Sequence, residues 1–298
     1  MAKYNISKEY GLFTKFIPLF NRLVFKIASL ILGIIPKTLK SDGNVKITKK
    51  QIKTVDEKNI NIYIFEPLKD KTDKGVLYIH GGGFGFKGCS YHYNLCKSFA
   101  KDGNCKVVYV DYRLAPKYKY PIPLEDCYST YKWIIKNANE LEIDKNKIII
   151  AGDSAGGCLA VDVTLKSIEE KIEKPCYQLL IYPVLDKRNK TESMKKYTDT
   201  PMWNSKLNKK MWRYYLRNNN YISPNERNNL YNISPTYIET AQYDCLHDEA
   251  KEFDKKLKES KVNVILNETK GTMHGYDIKN SKITKEAVLK RIETLKNI

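Results

Sequence analysis

The chain opens on an apolar stretch, FTKFIPLFNRLVFKIASLILGIIPK at residues 13–37, in which polar residues are sparse but ordered. At about 100° per residue, Lys15, Arg22, Lys26, Ser29 and Gly33 fall in one narrow stripe, which predicts an amphipathic helix with a broad apolar face. Two segments that alternate apolar and polar residues follow, VKITKKQIKTV and INIYIFEP, as in strands of an antiparallel edge. From residue 75 the pattern changes. GVLYIH, CKVVYVDY, KIIIAGD, YQLLIYPVLD, PTYIETAQYD and VNVILNE are short runs of almost continuous apolar character, as expected of strands covered on both faces. Helix-length segments such as LEDCYSTYKWIIKNA and DEAKEFDKKLKES separate several of them. Strand alternating with helix predicts an α/β fold built on a mainly parallel, twisted sheet flanked by helices. Residues 186–225 break this rhythm and read as a helical insertion after a strand, carrying Trp203 and Trp212. No Gly/Ser linker divides the 298 residues into independent domains.

Charge adds to the picture mainly through its placement. The formal net charge is +18; residues 1–45 hold seven Lys/Arg against two acidic residues, and residues 186–225 hold ten against three. These two segments therefore carry +12 of the surplus. A solvated lysine-rich surface and an electrostatic guide toward anionic lipid or an acidic substrate both fit such a distribution. No zinc-finger or RNP motif accompanies the charge, so nucleic acid is not expected as a partner. The N-terminal stretch is not expected to span a bilayer: Arg22 and Lys26 sit in its middle, where each would cost roughly 2.5–3.5 kcal/mol on insertion. It can lie against its own protein or in a membrane interface. Seven scattered cysteines without a CxxC pair favour reduced thiols in a cytoplasmic protein over a disulfide framework or a metal site.

The candidate chemistry centres on AGDSAGG, residues 151–157, which follows the apolar run KIII. Gly152-Asp153-Ser154-Ala155-Gly156 fits G-x-S-x-G between a strand and a helix, a sharp turn that presents Ser154 as a nucleophile. A serine hydroxyl needs a base and a group to orient that base. Of the four histidines, His80, His92, His247 and His274, the last lies in GTMHGY, a glycine-flanked loop after the final strand. Asp244, at the tip of PTYIETAQYD, is expected to orient it, in preference to Asp248 within the next helix. HGGGF, residues 80–84, follows another strand, and its side-chain-free positions let backbone amides converge on an anion. The expected oxyanion donors are Gly82 with Gly81 or Gly83, together with Ala155. His80 is expected to organise that loop rather than act as a base.

HGGGF, DYRLAP at 111–116, GDSAGG, YDCLHDEA at 243–250 and MHGY together resemble the hormone-sensitive-lipase-like family of α/β-hydrolases, the GDSAG type of esterase. The resemblance spans residues 76–276. It implies an α/β-hydrolase fold with Ser154, Asp244 and His274 as a triad, in the Ser, Asp, His order of that fold, and no cofactor or metal. It also implies a helical cap made of residues 1–45 and the insertion 186–225 over a core of 46–185 and 226–298. Two departures, Lys117 after RLAP and DCLHDE, leave the triad untouched. The expected activity is that of a serine carboxylesterase on short to medium acyl esters of small molecules. A membrane-interface lipase in peripheral contact with anionic lipid, a deacetylase or amidase, and a receptor without turnover are the other readings.

Overall fold

A computed structural model describes residues 3–218 and 220–298; of the segments assigned above to a cap, Met1, Ala2 and Asn219 lie outside the described residues. In chain order the helices are α1 (Arg22–Leu32), α2 (Ile35–Thr38), α3 (Ser90–Gly103), α4 (Ile122–Lys136), α5 (Ala155–Glu169), α6 (Glu192–Lys196), α7 (Ser205–Tyr215), α8 (His247–Glu259) and α9 (Lys282–Lys296). The strands are β1 (Val45–Lys53), β2 (Asn59–Pro67), β3 (Gly75–Ile79), β4 (Lys106–Asp111), β5 (Ile148–Asp153), β6 (Tyr177–Ile181), β7 (Thr236–Tyr243) and β8 (Val264–Met273). They form one sheet in the order β1-β2-β4-β3-β5-β6-β7-β8. The alternating segments β1 and β2 pair antiparallel at one edge, and β2 runs antiparallel to β4. All the remaining pairs are parallel, as the continuous apolar runs predict.

Alternate residues of the inner strands point to opposite faces. Leu77, Ile79, Val108, Val110 and Ile150 pack with α4, α5 and α8, whereas Val76, Tyr78, Val107, Tyr109 and Ile149 pack with α3 and α9. The connections leaving β3 and β5 run toward opposite edges of the sheet, while the two strands themselves are neighbours, Ile79 opposite Gly152. Such a switch point opens a crevice at the carboxyl ends of the strands. HGGGF and GDSAGG, the loops after β3 and β5, meet there.

The N-terminal stretch is not one continuous helix. A 3-10 turn covers Lys8–Thr14, and α1 begins only at Arg22, where the Asn21 side chain accepts the Val24 amide and caps it. Lys15 therefore lies outside the helical stripe to which periodicity alone assigned it. An N-cap asparagine and Pro18 reset the chain more strongly than apolar spacing can join it. The insertion 186–225 contains α6 and α7. It is tied to the N-terminal segment by the Met202 amide donating to the Phe16 carbonyl (2.6 Å) and by Lys3 pairing with Asp199 (2.7 Å).

Helix α5 carries an ionisable group that sets a pH dependence of stability. Asp162 is buried, with Tyr221 Oη donating to Oδ2 at 2.7 Å and no described partner for Oδ1. Burial pushes its carboxyl up to about 7, against which the Tyr221 hydrogen bond works. The folded state thus holds this proton to higher pH than the unfolded chain, so the group's contribution falls as pH rises from about 4 to about 7. Asp162→Asn keeps an acceptor for Tyr221 and removes the charge. Its unfolding free energy is expected to exceed that of wild type by an amount that grows across that interval and levels off above it, reaching on the order of a few kcal/mol. Thermal melts of the two proteins at pH 5 and pH 8 measure it.

Candidate active site

Three side chains named from sequence are each the first residue beyond a parallel strand: Ser154 after β5, Asp244 after β7 and His274 after β8. Their strand tips lie on one edge of the sheet because the strands are parallel. Ser154 takes φ 52° and ψ −117°, a conformation that side-chain-bearing residues seldom adopt, and its amide donates to Ile181 O at 2.8 Å. The turn is possible because of the glycine after it. A Cβ on Gly156 would lie 2.0 Å from the Ile79 carbonyl oxygen, a backbone atom that cannot move aside. Sheet and elbow therefore hold the hydroxyl in a strained, fixed position at the N-terminus of α5.

Ser154 Oγ is 2.8 Å from His274 Nε2, and His274 Nδ1 is 2.6 Å from Asp244 Oδ2. Asp244 is fully buried, and its other oxygen accepts the Leu246 amide at 3.0 Å, which fixes the carboxylate plane. With Nδ1–H donated to this carboxylate, Nε2 is left as the acceptor that faces the serine hydroxyl. Asp248 is engaged elsewhere: it accepts the Ser193 amide at 2.7 Å and contacts His247 Nδ1 at 3.0 Å. His80 is buried between the rings of Tyr109 and Tyr112, its Nδ1 2.7 Å from Gly81 O, and burial lowers its pKa to about 3. It is a neutral strut for the loop.

The three loop glycines are not equivalent. Gly81 turns its amide inward, donating to Asp153 Oδ1 at 2.9 Å, so it has no donor to offer an oxyanion. Among the described residues the amides of Gly82 and Gly83 have no acceptor, and Ala155, first residue of α5, has none within its helix. Gly82 has φ 101°, and a Cβ there would lie 2.8 Å from Phe86 O. Asp153, the middle residue of G-x-S, is the fastening between the two loops. It also accepts Tyr78 Oη (2.7 Å), Tyr91 Oη (3.2 Å) and His92 Nε2 (3.2 Å). The Cys89 amide donates to His92 Nδ1, which leaves the ring proton on Nε2 for Asp153. Burial alone would raise the Asp153 carboxyl, but these donors outweigh it and hold the group well below the ordinary carboxylate range. Sequence reading assigned no role to His92, Tyr78 or Tyr91. Their partner is 61 to 75 residues away, and no local spacing signals the contact.

A cavity of about 410 Å³ ends on Ser154 and His274. Gly82 and Gly83 line one side, and Phe86, Tyr182, Met202 and Trp203 make much of it apolar. The N-terminal segment supplies Phe16, Pro18, Ala28, Ile31 and Leu32. The Tyr182 ring lies 4.9 Å from the His274 ring and that of Trp203 5.9 Å, so aromatic side chains flank the imidazole. A serine–histidine–carboxylate contact chain, amides without an acceptor beside the serine and an apolar cavity of ligand-binding size form an arrangement chemically capable of acyl transfer.

Comparison with known proteins bears on the fold and the family. A family model described as alpha/beta hydrolase fold matches residues 76–278. The chain is 30% identical over 207 residues to esterase LipI of Mycobacterium tuberculosis, a match covering 67% of this chain and 65% of that relative, so just under two thirds of the relative's length is spanned. It is 28% identical over 270 residues to an arylesterase of Saccharolobus solfataricus, covering 89% of this chain and 86% of that one. The solved structure of a bacterial heroin esterase superposes with a TM-score of 0.88 at 27% identity, covering 98% of each chain.

Proposed function

Since the chain belongs to the hormone-sensitive-lipase-like family of α/β-hydrolases and is a hydrolase of the carboxylesterase type, we propose that it cleaves short to medium acyl esters of small molecules through an acyl-enzyme on Ser154. The observation that carries this reading is the unbroken contact from Ser154 Oγ through His274 to Asp244, at 2.8 and 2.6 Å. In the first step His274 Nε2 takes the hydroxyl proton as Oγ adds to the ester carbonyl. The amides of Gly82 or Gly83 and Ala155 stabilise the oxyanion, each such donor contributing about 2.7–4 kcal/mol. Asp244 stabilises the imidazolium, which then gives its proton to the departing alcohol. Water, deprotonated by the same ring, attacks the acyl-enzyme and releases the acid. The apolar lining of the 410 Å³ cavity suits an acyl chain of modest length.

In this proposal residues 1–45 and 186–225 act as the cap. What supports that role is that both reach the cavity, through Phe16 and Ile31 from one and Met202 and Trp203 from the other.

Hydrolysis of p-nitrophenyl esters over a series of acyl lengths tests the reading, with Asp244→Asn as control. Wild type is expected to turn over the acetyl and butyryl esters. The variant, which keeps the shape but reverses the donor–acceptor pairing at Nδ1, is expected to lose about four orders of magnitude in kcat. Equal rates for the two proteins would remove Asp244 from the mechanism.

A further inference from the structure

The N-terminal segment leaves a large apolar surface uncovered. Leu12, Leu19, Leu23, Ile27, Leu30 and Ile34 are all between 49% and 88% exposed. On α1, Leu23, Ile27 and Leu30 fall on one side, while Phe25 and Leu32 face the cavity and core opposite. Folding of this chain alone buries only one face of the helix. Patches of this kind on a protein surface mark a binding surface.

The charges beside the patch define what covers it. No Asp or Glu occurs between residues 10 and 41, whereas Lys15, Arg22, Lys26, Lys37 and Lys40 do. All five are exposed, and among the described residues none has an ion pair. Helix α7, which carries Lys206, Lys209, Lys210 and Arg213, packs directly against α1, with the Tyr214 ring 5.9 Å from Phe20 and 5.7 Å from Phe25. The second concentration of positive charge thus adjoins the first. A second copy of the chain would bring another +18 and the same acid-free segment into contact with this one. An anionic lipid surface instead offers hydrocarbon for the leucines and phosphates for the long cationic side chains that flank them. With 11 residues, α1 is short, and no helix among the described residues is long and apolar enough to cross a membrane. A short amphipathic segment of this kind suits the surface of a bilayer rather than its interior.

We propose that the acid-free N-terminal segment, with α1 at its centre, docks the protein on anionic bilayers and opens the Ser154 cavity toward the lipid. Phe16 and Ile31 join the two surfaces: both line the cavity, yet they are 50% and 61% exposed. An ester dissolved in the acyl region therefore meets continuous apolar surface from the bilayer to the nucleophile. The delivery step rests on the esterase reading above; the docking step does not.

Flotation of the full chain with phosphatidylcholine vesicles, with and without phosphatidylglycerol, tests the docking. Wild type is expected to float with the anionic vesicles and to float about tenfold less with the neutral ones. Leu23→Ser/Leu30→Ser and Arg22→Glu/Lys26→Glu are each expected to reduce flotation about tenfold while hydrolysis of a water-soluble acetyl ester stays unchanged. Absence of the wild type from both lipid fractions, or flotation that neither double variant lowers, overturns the proposal. A dimer in sedimentation that the leucine variant converts to monomer also overturns it, because a second copy then covers the patch. Failure of the esterase reading shows separately, as wild type that floats but leaves the soluble ester intact.

Discussion

Ser154→Ala is expected to lower kcat by about four to six orders of magnitude on any ester the wild type accepts, with little change in the unfolding midpoint. In the proposed mechanism the loss is large because the hydroxyl is the attacking group, the one that His274 and Asp244 serve to activate. Removing it costs one hydrogen bond, the 2.8 Å contact to His274 Nε2, a net contribution of about 1 kcal/mol. Elbow geometry is kept by Gly156 and by the Ser154 amide bond to Ile181, neither of which involves the hydroxyl. Steady-state kinetics and thermal melts on the same preparation check both halves. Activity within tenfold of wild type excludes the mechanism, and a collapsed melt assigns the serine a structural role instead.

Arg291→Met is expected to have the largest effect on stability. This arginine is fully buried on α9, donating from Nε to Glu239 Oε2 and from Nη1 to Asp277 Oδ1, each at 3.0 Å. Tyr182 Oη donates to Asp277 Oδ2 at 2.6 Å, and Tyr276 Oη to Glu239. Met fills similar volume but leaves two buried carboxyls without their cation. Breaking a buried pair in this way costs about 3–5 kcal/mol, which lowers the midpoint of a chain of this size by roughly 5–8 °C. Activity should fall as well, because Tyr276 and Asp277 belong to the turn that follows His274 and are what fastens it to the sheet. Arg291→Lys, which keeps a charge but not the planar fork, is expected to fall between the two. A midpoint within 2 °C of wild type for Arg291→Met contradicts this account of the loop.

The strands and the strand-tip residues were legible because each depends on local signals: unbroken apolar runs, and a Ser, Asp or His directly after them. Ser154, Asp244 and His274 converge because three parallel strands end on one edge, which follows from strand alternating with helix. Elements held by contacts distant in sequence were not legible. In VLKRIETLK, Arg291 reads as one more cation on an amphipathic helix, yet it is buried, because its partners arrive from β7 and from the turn Tyr276–Ile278. The inward amide of Gly81 is a similar case: HGGG tells that close backbone approach is needed, but not which amide Asp153 takes. The start of α1 is not legible for a local reason, since the spacing of apolar residues continues across Pro18 and Asn21 although the helix begins only at Arg22.

The central claim, that Ser154 is the group which becomes acylated, is met most directly by a fluorophosphonate ester followed by mass-spectrometric mapping of the adduct. One phosphonyl group per chain on Ser154, formed with loss of ester hydrolysis and absent from Ser154→Ala, is the predicted result. Full hydrolytic activity in an unlabelled protein, or a stoichiometric adduct on another residue, would contradict it.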